Sequence, residues 1–128
     1  MAQVLLIESD HLLAKNLSRY LRKAGHNISW HVDPQGAIDR ADLECPDVII
    51  LDLILASRGG VEFLYEFRSY PDWQNLPVIF YSNISADEVQ DCLNAFEQLN
   101  VTAYHYKPTT SMARLAKSLE EAIKLVPA

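Results

Sequence analysis

No stretch of this chain approaches the ~18 consecutive apolar residues that a membrane-spanning helix requires. The longest apolar runs are VLLI at residues 4–7 and VIIL at residues 48–51, with short extensions. A membrane-embedded protein is not expected. Cysteine is also scarce: Cys45 and Cys92 stand far apart, with no CxxC or Cys/His spacing. That excludes a disulfide framework and a zinc finger. The N-terminal MAQVLLIESD lacks the basic start and long apolar run of a signal peptide, so a cytoplasmic setting is expected. Basic clusters are missing too, none being longer than Arg22-Lys23, and 17 acidic against 11 basic residues give a formal charge of -6. Direct binding to nucleic acid is therefore not expected. With only 4 glycines, no Gly-rich phosphate loop follows the first apolar run. That argues against a nucleotide- or flavin-binding enzyme.

The chain otherwise has the composition of an ordinary packed protein, 49% hydrophobic and 22% charged. At 128 residues it is expected to form one domain, residues 1–128, burying roughly two-thirds of its unfolded surface.

The pattern alternates strands with helices. Residues 4–7 read as a strand that ends in the acidic Glu8-Ser9-Asp10. Helical spacing then runs through Leu12, Leu13, Leu17, Tyr20 and Leu21 and stops at Gly25, a residue able to take the left-handed C-cap conformation. A second strand is expected at 28–32, and Asp33-Pro34 opens a second helix. The run at 48–51 has the continuous apolar character of a central parallel strand covered on both faces. A third helix is expected over 61–70, a fourth strand over 78–82, and a fifth over 102–106. The capping box Ser85-Ala86-Asp87-Glu88 predicts a fourth helix over 86–99. The last helix is expected over 111–125. Repeated βαβ units with right-handed crossovers imply an α/β fold, a doubly wound five-stranded parallel sheet with five helices.

In such a sheet, ligands gather at the carboxyl edge near the place where strand order reverses. The strand ends there carry Glu8, Ser9 and Asp10, then Asp52, then Ser82 and Asn83, then Lys107. These residues, spaced 44, 30 and 25 apart from Glu8 through Asp52 and Ser82 to Lys107, make one constellation suited to phosphoryl chemistry. On these positions the chain resembles a response-regulator receiver domain of two-component signalling, over nearly its whole length, and the resemblance implies the flavodoxin-like strand order 2-1-3-4-5.

The resemblance implies that Asp52, in DVIILDLIL, is the phosphoacceptor, with Ser82 as the hydroxyl residue and Lys107, in YHYKP, as the lysine. It implies Mg²⁺ held by Glu8, Asp52 and the backbone carbonyl of Ile54. Asp10 is open to either of two roles, further metal ligand or N-cap of the first helix. Ser82 and Tyr104 are implied as switch residues, and the fourth helix, fifth strand and fifth helix as the output face, which also allows a homodimer. The partners implied are a histidine kinase or phosphotransfer protein and a downstream protein target, and the domain is not a conventional enzyme. Ser9 stands where the family carries a second metal-binding acid. One carboxylate fewer predicts weaker Mg²⁺ binding. It also frames an alternative, a degenerate receiver that docks or dimerises without phosphorylation. Ile54 and Ile84, at positions that influence dephosphorylation in the family, cannot hold an attacking water by a side-chain hydrogen bond, which predicts a long-lived phosphoryl group. His11, His26, His31 and His105 share no metal-site or catalytic spacing.

Overall fold

A computed structural model describes residues 2–55 and 58–124. Five strands form one sheet: β1 (Gln3–Ile7), β2 (Asn27–His31), β3 (Val48–Leu51), β4 (Val78–Ser82) and β5 (Val101–Tyr106). Their order is β2-β1-β3-β4-β5 and every pairing is parallel. The helices are α1 (His11–Lys23), α2 (Pro34–Leu43), α3 (Gly60–Arg68), α4 (Leu93–Gln98) and α5 (Met112–Lys124). The expected end of α5 at Leu125 lies outside the described residues.

The apolar runs serve both faces of the sheet, because successive strand residues point in opposite directions. Leu5, Ile7, Ile49, Leu51, Val78 and Phe80 pack with Phe63, Leu64 and Phe67 of α3 on one side. Val4, Leu6, Val48, Ile50 and Ile79 pack with Leu17 and Leu21 of α1 and Leu115 and Leu119 of α5 on the other. Full burial of each such side chain stabilises the fold by about 1.5–3 kcal/mol. At the end of α1, Gly25 takes φ +96° and its amide donates to the Arg22 carbonyl, the left-handed stop that its sequence position predicts.

One expectation is corrected. The helix expected over 86–99 is α-helical only at Leu93–Gln98, preceded by turns and a 3₁₀ segment, Gln90–Cys92. Only half of the capping box forms: the Glu88 amide donates to the Ser85 hydroxyl at 3.4 Å, while the Glu88 carboxylate accepts from that hydroxyl at 3.0 Å rather than from a backbone amide. The intervening sequence then fails to propagate it. Val89, Asp91 and Cys92 are weak helix formers, and Asp87, Glu88 and Asp91 have no basic residue one turn away to pair with.

Candidate functional site

Strand order reverses between β1 and β3, so the crevice above their carboxyl ends receives the residues that terminate each strand. Glu8 comes directly after β1, and its backbone amide donates to the His31 carbonyl at 3.1 Å. Asp52 comes directly after β3 and its amide donates to the Ile7 carbonyl at 3.2 Å. Both carboxylates are thus fixed by one-residue extensions of the sheet ladder. They are also buried, Glu8 at 2% exposure and Asp52 at 7%.

Lys107, just past β5, reaches back across β4 to both of them. Its Nζ lies 2.7 Å from Glu8 Oε1 and 2.9 Å from Asp52 Oδ2, and 5.8 Å above the centre of the Tyr81 ring. Burial opposes the lysine's charge, but hydrogen bonds to Glu8 and Asp52 outweigh it and hold its pKa above the usual lysine value. Burial pushes the Glu8 carboxyl up; the Lys107 hydrogen bond works against this and the Asp52 charge adds to it, leaving the pKa raised. One ammonium thus serves two buried carboxylates.

The remaining sequence-predicted residues surround this centre. Ser82 ends β4 at 1% exposure, and its hydroxyl accepts the Ile84 amide at 3.2 Å. The Tyr104 ring packs beside the stacked pair Phe80 and Phe96, at centroid distances of 6.1 and 5.7 Å. Its hydroxyl donates to the Ile84 carbonyl. Burial pushes the Tyr104 phenol above its ordinary pKa. Ser82 and Tyr104, singled out together from the sequence, therefore hold one turn from two strands.

Asp10 is exposed and its carboxylate accepts the Leu13 amide at 3.1 Å, as an N-cap does. Its own amide donates to Glu8 Oε2 at 3.1 Å. Ile54 N lies 3.5 Å from Asp52 Oδ1. The bridge pairing Ile54 with Gly59 is made by their neighbours, Leu55 N to Arg58 O and Gly60 N to Leu53 O, so the Ile54 carbonyl stays outside that ladder. Ser9 lies half-buried between Glu8 and Asp10.

Two residues with a part in this geometry escape sequence reasoning. Gly60 opens α3 against the backbone at Asp52 and Leu53: a Cβ there would lie 2.2 Å from the Asp52 carbonyl oxygen. Any side chain at position 60 must displace Asp52. Trp30 on β2 donates its indole N–H to the Glu8 carbonyl at 2.9 Å, so the edge strand holds Glu8 by both backbone groups. The only sequence signal for Gly60 is a glycine at the start of a helix, and for Trp30 there is none.

Comparison with known proteins decides the family. The model of the response regulator receiver domain matches residues 4–120. This chain belongs to the response regulator receiver family. A probable transcriptional regulatory protein of Mycobacterium tuberculosis, TcrX, is 34% identical over 88 residues, covering 69% of this chain and 36% of its own length. The receiver chain thus spans about a third of that relative. Among solved structures, the chemotaxis protein CheY4 of Vibrio cholerae matches with a TM-score of 0.85 at 22% identity, covering 95% of this chain and 98% of its own. The Mn²⁺-bound form of response regulator Rcp1 matches with a TM-score of 0.77 at 22% identity over 100% of both chains. These two likenesses show the fold. The sheet order and helix count expected from the sequence are those of the family, and receiver domains are signalling phosphoacceptor modules of two-component systems. Among the described residues no helix is long and apolar enough to cross a membrane.

Proposed function

We propose that this receiver takes a phosphoryl group on Asp52 from a histidine kinase or phosphotransfer protein and passes the change to a protein target. The observation that carries the reading is the Lys107 ammonium, 2.7 and 2.9 Å from Glu8 and Asp52 in a buried pocket at the strand-order reversal. An Asp52 carboxylate oxygen attacks phosphorus, the bond from phosphorus to the donor's imidazole nitrogen breaks, and the imidazole takes its proton from water. Lys107, already on Asp52 Oδ2, keeps its positive charge beside the transferred oxygens.

The donor set of Glu8, Asp52 and the Ile54 carbonyl is all oxygen, and its two buried carboxylates share a single ammonium. That chemistry fits a hard divalent cation, Mg²⁺. When bound, Mg²⁺ supplies the positive charge that offsets repulsion between the carboxylates and the arriving phosphoryl group. With serine at position 9 and Asp10 engaged on Leu13, the carboxylates on hand number two, and the affinity is correspondingly weak.

Ser82 completes the switch. Its hydroxyl accepts the Ile84 amide, and the Tyr104 hydroxyl holds the same residue by its carbonyl. Turning it toward a phosphoryl oxygen releases that turn and with it the Tyr104 hydroxyl, which changes the face formed by α4, β5 and α5. That face is the output surface of this reading, for a protein target or a second copy of the chain, in a cytoplasmic single-domain unit of residues 1–128. The cluster is buried and satisfied, and the relatives are response regulators, so the alternative of a phosphorylation-independent docking module gains no support.

The reading is tested by intact-mass measurement after incubation with acetyl phosphate. The chain is expected to gain the mass of one phosphoryl group with Mg²⁺ present and none with the metal chelated. An unchanged mass at saturating Mg²⁺ would overturn it.

A further inference from the structure

Trp30 grips both ends of the loop that joins β1 to α1. At the start of the loop its indole N–H donates to the Glu8 carbonyl at 2.9 Å. At the far end its ring meets that of His11, the first residue of α1, with centroids 5.2 Å apart and planes at 87°. The ladder between β1 and β2 closes at Ile7 and His31, and after His31 the chain turns into α2. The indole thus supplies the donor that a longer β2 would supply from its backbone. The ring itself is half-buried against the core between the sheet, α1 and α5, which fixes that donor in place.

Every polar group of Glu8 is held in consequence. Its amide donates to the His31 carbonyl and its carbonyl accepts from Trp30. Its Oε1 faces the Lys107 ammonium at 2.7 Å, and its Oε2 accepts the Asp10 amide at 3.1 Å. The Asp10 amide lies inside the gripped loop, so Trp30 steadies the carboxylate as well as the backbone. With serine at position 9, and the Asp10 carboxylate engaged on the Leu13 amide, Glu8 is the one carboxylate this loop offers beside Asp52. A small hard cation demands near-ideal octahedral geometry, so a site with two carboxylates depends on how accurately each is placed.

We propose that Trp30 is a positioning residue for this site: its grip on residues 8–11 sets the affinity for a divalent cation, and its indole N–H registers the binding. This rests on the reading of Glu8 as a metal ligand, and does not require phosphorylation of Asp52.

The test is calorimetric titration of Mg²⁺ into the parent chain and into Trp30→Phe, since phenylalanine keeps a ring against the core and removes the N–H donor. The variant is expected to bind Mg²⁺ about tenfold more weakly, with its metal-free melting temperature and circular dichroism spectrum close to the parent's. Phosphorylation by acetyl phosphate should need correspondingly more Mg²⁺ yet reach the parent's rate at saturation, a split that loss of fold does not give. In the parent, the Trp30 indole N–H resonance should shift along the Mg²⁺ titration. That of Trp73, the only other tryptophan and on the opposite face of the sheet, should stay. Equal Mg²⁺ affinity in the two proteins, an unmoved Trp30 resonance, or a rate still depressed at saturating metal would each overturn the positioning role. A parent that takes up no Mg²⁺ would overturn it together with the metal reading. Weaker Mg²⁺ binding by the variant of a parent that is never phosphorylated would uphold the role and sink the phosphoacceptor reading alone.

Discussion

Replacing Lys107 by methionine should cost this receiver about 3–5 kcal/mol of stability at neutral pH, far more than an exposed ion pair would. The lysine side chain is 8% exposed and its two partners are 2% and 9% exposed. Methionine fills much the same space but leaves Glu8 and Asp52 facing each other without a counter-charge. Two conditions should restore stability. Acid is the first: burial already raises the Glu8 carboxyl, and removing the lysine takes away the hydrogen bond that opposes this. Stability tied to a carboxyl so raised is full below its unfolded pKa and is lost as pH rises through the folded one, so acidification recovers it. A divalent cation is the second, and Mg²⁺ should raise the melting temperature of Lys107→Met more than that of the parent chain.

The parent chain has its own pH limit. Its Lys107 pKa is raised, so the lysine's contribution is complete below the unfolded lysine value and disappears as pH climbs through the higher folded value. Strong alkali should reproduce the methionine variant. Thermal unfolding across pH checks both statements; a neutral-pH loss under about 1 kcal/mol would mean that the cluster is solvated as surface pairs are.

The second large effect is Asp52→Asn. The amide is isosteric and keeps a carbonyl oxygen for Lys107 at the place of Oδ2, now 2.9 Å from the ammonium. The fold should therefore survive, as circular dichroism will report. What disappears is nucleophilicity, because an amide oxygen does not attack phosphorus at a useful rate. Incorporation of phosphoryl groups from acetyl phosphate should fall to background. Removing one of two carboxylates should also weaken Mg²⁺ binding by at least about tenfold, measured by titration calorimetry. An Asn variant that is phosphorylated like its parent would move the nucleophile elsewhere.

Much of this site was legible because sheet chemistry is simple. The runs VLLI and VIIL, buried on both faces, identify central parallel strands, and the residues that end them must lie on one edge. Glu8, Asp52, Ser82 and Lys107 converge for that reason. The α4 segment was not legible: the Ser85 hydroxyl accepts the Glu88 amide as a cap does, yet the weak helix formers at 89, 91 and 92 follow it and the α-helix begins only at Leu93. The roles of Trp30 and Gly60 depend on contacts 22 and 8 residues away, to Glu8 and to Asp52. No local pattern encodes such a contact. Asp10 shows a third kind of limit, since an N-cap and a metal ligand require the same residue type at the same loop position.

The most direct test of Asp52 as phosphoacceptor is to trap the acyl phosphate chemically. After incubation with acetyl phosphate and Mg²⁺, borohydride reduces an aspartyl phosphate to homoserine, and peptide mass spectrometry reports where. Homoserine is expected at position 52 alone, in proportion to the phosphoryl mass gained. Homoserine at another aspartate, or a phosphorylated chain whose Asp52 peptide is unaltered, would contradict it.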